Sequence, residues 1–315
     1  MTRAALVWGG AAAAILGLGG LALAVVIVTT ATPADHVQRY LDALARDDLA
    51  TAARLAGLEP PTAMPLGDAG EPGIHRIIST ETAPDGVVTV IAEYGDEQDA
   101  VRVPFRLEPA PPTLGLVPAW AFVRPPVGEI EVVADQHDRL VVNDRALRTP
   151  GAGEAVQVIA FVPARVTVSL AEPLLRAESV TTRVAASGGR IVLAVRPSER
   201  LERTVRRELE EVLLACTEQR VLQPAGCPFG IEVVDRVIEP PVWGLDDALD
   251  LIIEPGDEPG VWRVRGEGSV QFTVTLQRLF DGVLVERDEP LGFVVRGDVV
   301  LEPEGPVLTV YPPEG

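Results

Sequence analysis

From Ala4 to Ala34 the chain carries no charged residue, and residues 4 to 28 are almost wholly apolar or small. A helix of about 25 residues rises about 37 Å, enough to cross a hydrocarbon core of about 30 Å with some tilt. The run therefore predicts a transmembrane anchor over residues 1–31. Arg3 and the amino terminus are the positive groups ahead of it. By the positive-inside rule the N-terminus is then cytoplasmic, and the chain is a single-pass protein of the cell membrane with extracytoplasmic domains. The competing reading is a cleaved signal peptide. Such peptides have apolar regions of about 7–15 residues, shorter than this one, and Thr32-Pro33-Ala34 is a modest cleavage site. No Cys lies near residue 30, which excludes a lipoprotein. Gly9, Ala13 and Gly17 form a stripe of small residues that lets two membrane helices approach, a homodimer contact. Ala and Gly fill the run, so the spacing also arises by chance.

Charge sharpens this picture. The sequence holds 46 acidic and 27 basic residues, all of the latter Arg, for a net charge of −19. With Arg3 set aside, 46 acidic and 26 basic residues remain beyond the apolar run, a net −20. Such a chain does not neutralise phosphates, so nucleic acid is excluded as a partner and anionic lipid surfaces are disfavoured. The absence of Lys reflects GC-rich codon usage and carries no function. At 47% hydrophobic the chain is too apolar to be mainly disordered.

The fold class expected is α+β: the N-terminal transmembrane helix, then small extracytoplasmic domains. Residues 32–125 open with Thr32 as N-cap, Pro33 at the first helical position and Asp35 near the positive helix end. Val37, Tyr40, Leu41, Leu44 and Ala45 follow helical spacing. Asp47-Asp48 caps a second short helix, Leu49 to Leu55, closed by Gly57. A Pro/Gly-rich loop leads to strands at Ile74–Thr80, Val87–Ile91, Ala100–Leu107 and Leu114–Val123, with a turn at Pro84-Asp85-Gly86. Residues 126–197 show strand signals only and predict a small β-sandwich. In residues 198–315 Ser198 caps a helix whose Leu201, Val205, Leu209, Val212, Leu213 and Cys216 share one face. Strands follow at Ile231–Ile238, Leu249–Ile253, Val261–Arg265, Val270–Leu279, Val283–Arg287, Gly292–Val295 and Val299–Val310, the last in two pieces, with a tight hairpin at Asp281-Gly282.

Few residues point to chemistry. Cys216 and Cys227 predict a disulfide tying the end of that helix to the following loop, as an oxidising compartment allows. Two buried thiols and a redox pair are the alternatives, the latter normally closer in sequence. His36, His75 and His137 share no metal-ligand spacing, so no metal site is expected. No G-x-S-x-G or phosphate-cradling loop is present, so no catalytic or cofactor-binding residue is assigned and no cofactor is implied. The carboxylates at Asp96–Asp99, Asp246-Asp247 and Glu254–Glu258 lack a calcium-loop pattern and read as solvated turns. Trp120, Trp243 and Trp262 read as core, with an exposed platform for a ligand or glycan as the alternative.

The segment Tyr40-Leu41-Asp42-Ala43-Leu44-Ala45-Arg46-Asp47-Asp48-Leu49-Ala50-Thr51-Ala52 resembles the opening helices of cystatin-like, or nuclear-transport-factor-2-like, domains. Leu116–Phe122 is similar to their last, hydrophobic strand. Cys216–Phe229, with its helix before and Cys-Pro-Phe at its end, looks like the C-terminal domain of actinobacterial single-pass membrane proteins. The layout is similar to the extracellular part of the teicoplanin-resistance-associated membrane protein family, whose cytoplasmic zinc ribbon has no counterpart here. The resemblance implies helices lying in the curve of an antiparallel sheet.

Together these features predict a non-enzymatic, membrane-anchored envelope protein that binds a protein or cell-wall component. One alternative is an enzyme or small-ligand binder using a cystatin-like cavity. The other is a structural or assembly factor of the envelope.

Overall fold

The computed structural model describes residues 32–58, 64–67, 73–113, 117–246 and 249–311. The expected membrane segment, with Gly9, Ala13 and Gly17, lies outside them. Among the described residues no helix is long and apolar enough to cross a membrane. They form an α+β chain with few helices and mostly antiparallel sheets.

The chain runs α1 (Pro33–Ala45), α2 (Leu49–Leu55), β1 (Ile74–Thr82), β2 (Val88–Gly95), β3 (Val101–Thr113), β4 (Val117–Phe122), β5 (Val127–Ala134), β6 (Arg139–Val142), β7 (Arg145–Arg148), β8 (Val156–Phe161), β9 (Arg165–Leu170), β10 (Leu175–Arg176), β11 (Val180–Arg183), β12 (Gly189–Leu193) and β13 (Arg196–Pro197). It continues through α3 (Glu199–Thr217), β14 (Arg236–Val237), β15 (Val242–Leu245), β16 (Asp250–Pro255), β17 (Val261–Gln277), β18 (Leu284–Glu302) and β19 (Gly305–Val310). Two compact units result. Among the described residues, one comprises those up to Val132, with Gln157–Val168 and Val180–Ile191; the other comprises Val133–Val156, Ser169–Ser179 and those from Val192 onward. The strand-only stretch 126–197 contributes to both.

In the first unit the helix signals hold. Thr32 and Asp35 form a reciprocal capping box, with Asp35 N–H to Thr32 Oγ1 at 3.1 Å and Thr32 N–H to Asp35 Oδ2 at 3.1 Å. Asp48 Oδ1 accepts from Thr51 N–H at 3.1 Å and starts α2. The sheet order is β1-β2-β3-β4. At the β1–β2 turn Gly86 takes φ +85°, a conformation that a side chain disfavours. Val37, Tyr40, Leu41 and Leu44 of α1 pack with Val88, Val90, Ala92, Tyr94, Phe105 and Leu107 of the sheet, all buried. Phe161 and Ala164 complete this core.

In the second unit α3 buries Leu201, Val205, Leu209, Leu213 and Cys216. Val212, expected on that face, is 40% exposed. The helix packs against β15 and β16 of a six-stranded sheet built on β17. Here the strands are fewer and longer than their sequence signals predict. The expected strands at Val261–Arg265 and Val270–Leu279 are one continuous β17, because Gly266 and Gly268 do not break it. A Cβ on Gly266 would lie 2.8 Å from Val295 Cγ1, so glycine there serves close packing. The pieces at Val283–Arg287, Gly292–Val295 and Val299 likewise fuse into β18. Pro290 is tolerated inside it because β19 pairs only with Gly297–Glu302, leaving one side of Pro290 unpaired. The expected strand Ile231–Ile238 shrinks to β14; Ile231 N–H bonds instead to Leu222 C=O at 2.9 Å, in a loop. The two-residue turn expected at Asp281-Gly282 is a longer loop, since the last pair is Gln277 with Leu284. Strand β15, hidden behind Pro240-Pro241, carries no signal that alternation alone reveals.

Candidate functional site

Strand β3 is covered on one side along Val101–Leu107 by β2. On its other side β4 pairs only from Leu107 onward. The half-strand Val101–Arg106 is therefore an open sheet edge. Where β4 ends, Val123 N–H donates to Arg106 C=O at 2.9 Å. Backbone polar groups alternate along a strand, so those of Arg102 and Pro104 point the same way as Arg106 C=O. Pro104 fits this phase, because its missing N–H faces outward and costs no bond to β2.

Beside this edge lies a half-open groove of about 760 Å³. Its walls are the 123–126 connection, Val162-Pro163 and residues 183–186. Four lining residues are Arg (102, 106, 124 and 183) and none is Asp or Glu, in a chain with 46 acids. The remainder is apolar, with Phe105 and Phe122 as aromatic members. Two of the arginines are committed to the protein. Arg183 Nη2 sits 2.7 Å from Asp99 Oδ2, and its Nη1 donates to Pro163 C=O at 3.1 Å. Arg102 lies 4.0 Å from Glu93, which Arg76 holds at 2.6 Å. Arg106 and Arg124 are exposed and make no ion pair among the described residues.

Several features hold these walls. Tyr40 Oη donates to Pro126 C=O at 3.1 Å and Val162 C=O at 2.8 Å. Its ring meets Phe105, Phe122 and Phe161 edge-on. Burial, reinforced by Tyr94 nearby, pushes the Tyr40 phenol well above its ordinary pKa and keeps it a donor. Gly128 lets the 184–185 backbone approach, since a Cβ there would lie 2.3 Å from Ala185 O. The space between α1 and the sheet, where a cystatin-like cavity would lie, is filled by the apolar core. The groove sits instead at the sheet's edge.

The residues singled out by sequence fall elsewhere. Cys216 and Cys227 form a disulfide with Cα atoms 5.8 Å apart, both side chains buried. His36 Nε2 donates to Leu55 C=O at 3.0 Å, and burial lowers its pKa. His75 Nε2 lies 3.4 Å from Asp42 Oδ1. His137 is buried, and burial with Arg139 outweighs Asp138 and Glu172 in lowering its pKa. The three histidines occupy separate places, and among the described residues no group of three His, Cys, Asp or Glu could hold a metal. The Asp96–Asp99 turn has a structural task. Asp96 pairs with Arg165 at 2.5 Å, and Asp99 accepts from Asp96 N–H at 2.9 Å and binds Arg183. That backbone bond first, then Arg183, holds Asp99 below the usual carboxylate range. Trp243 and Trp262 are buried, and Trp120 packs partly buried on the first unit's core.

Sequence reasoning missed the groove. Its one local signal is Arg102-x-Pro104-x-Arg106, which a strand places on a single face. Arg124 and Arg183 reach the same place only through tertiary folding. No family model, curated protein or solved structure matches the chain.

Proposed function

We propose that this chain is a single-pass, membrane-anchored protein of the bacterial envelope. Its extracytoplasmic part, residues 32–315, binds a partner protein or cell-wall component rather than performing chemistry. The observation that carries the binding reading is the groove: an apolar site rimmed by arginines and free of carboxylates on a strongly acidic chain. The uncharged run at residues 4–34 and the Cys216–Cys227 disulfide support the location, because disulfides persist in oxidising compartments. The helix-in-sheet plan of the first unit supports the cystatin-like resemblance as a plan of folding. Pairing through Gly9, Ala13 and Gly17 would make the anchor a homodimer contact.

Protease added to intact cells should digest the region after residue 32, and protein extracted from membranes should keep its full mass. Protection of that region in intact cells, with digestion only after lysis, would overturn the location. A mass lacking about 34 N-terminal residues would replace the anchor with a cleaved signal peptide.

A further inference from the structure

We propose that the groove beside β3 takes an extended, acidic and apolar segment of a partner protein, which adds to Val101–Arg106 as a further strand. The inference deepens the binding reading and rests on it only in placing the partner outside the cytoplasm.

The open edge is six residues long, about 20 Å of strand. Toward the groove it offers the N–H groups of Arg102 and Arg106 and the C=O groups of Arg102 and Pro104, while Arg106 C=O is already taken by Val123 N–H. Pro104 adds a carbonyl but no N–H, so two acceptors and two donors stand open along this edge. A hydrocarbon ligand laid against this edge would strip water from two carbonyls and return no bond, which weakens binding. An extended peptide supplies N–H donors to both. Main-chain bonds of this kind give affinity, and alternate side chains give specificity.

The side-chain pattern then selects the peptide. Along β3, Val103 and Phe105 turn to the core side, and Arg102, Pro104 and Arg106 turn to the exposed side. Alternate residues of an added strand face the same two sides. One set meets apolar walls, and the other meets Arg106 and Arg124, which have no carboxylate of their own. A partner segment alternating apolar and acidic residues complements both.

The test uses the full chain in nanodiscs and a displayed library of random dodecapeptides. Enriched peptides should alternate acidic and apolar residues. A synthetic copy of the strongest should slow amide exchange at 101–106. Reversing charge in R106E/R124E should weaken that peptide about tenfold or more, whereas R106K/R124K should bind nearly as the parent does. R102P should bind about threefold to tenfold more weakly than R102A, because only the first removes one of the two outward N–H groups. Thermal melts of each variant check that it folds, and R102A and R106K/R124K report even where another variant does not. Failure to enrich any peptide, enrichment without acidic residues, or equal binding by R102P and R102A would each overturn the inference. So would protection of 101–106 by palmitate with no protection by peptides, which would make the groove a lipid site. Binding that obeys these rules in a protein located in the cytoplasm would sink the envelope reading alone.

Discussion

Tyr40 shows how one hydroxyl can organise a region. It is fully buried and bonds two carbonyls, Pro126 and Val162, that lie 86 and 122 residues away in sequence. Tyr40→Phe would keep the ring packing and take the hydroxyl donor from Val162 C=O, while Pro126 C=O keeps Val162 N–H at 2.8 Å. The expected cost is about 1–3 kcal/mol, read as a shift in urea midpoint at unchanged slope. His36 makes a pH-dependent contribution. Burial lowers its folded pKa below the ordinary imidazole value near 6.5, so the unfolded chain binds more protons. That stability is fully present above about pH 6.5 and is lost as pH falls toward the lower folded value. His137 acts in the same direction. Urea midpoints should therefore decline between pH 7.5 and 5.5, and His36→Gln, which keeps a donor for Leu55, should flatten the decline. An unchanged slope in that variant would remove His36 from this account.

At the scale of elements, capping chemistry and apolar spacing were legible: α1 and α2 begin and end where Thr32, Asp48 and Gly57 indicate. Strand ends were less legible. Glycines inside β17 and a proline inside β18 look like breaks in sequence, yet the sheet uses them for close approach and at an unpaired side. The disulfide belongs to this scale too. It joins the last turn of α3 to the loop beyond it, with a sequence separation of 11. The chain-entropy relation gives a stabilisation of about 3 kcal/mol for a loop of this size. C216S/C227S should lose about that much in equilibrium unfolding, and α3 should show faster amide exchange in its C-terminal turn. A loss near zero would mean that the loop is already ordered without the bond.

For the whole molecule, charge is the governing property. The sequence pI is about 4.6 and the net charge −19, so self-repulsion keeps the chain apart at neutral pH. Turbidity of the purified protein should peak near pH 4.6 and fall again on either side; a maximum near neutrality would show that a local patch, not net charge, governs association. Against this acidic background the arginines of the groove stand out as a local exception. That contrast is invisible in composition, because Arg102, Arg106, Arg124 and Arg183 are spread over 82 positions of the sequence.

What the sequence by itself determined is local or additive. Capping residues, helical spacing, the uncharged run and net charge act over a few neighbours or as a sum, so they can be read in order along the chain. The same holds for the disulfide, whose partners are the only two cysteines. The tertiary structure alone decided where β4 stops covering β3, which carbonyls Tyr40 reaches and which arginines gather at one edge. These depend on strand register and on contacts between distant segments, and neither is encoded by any short stretch of residues.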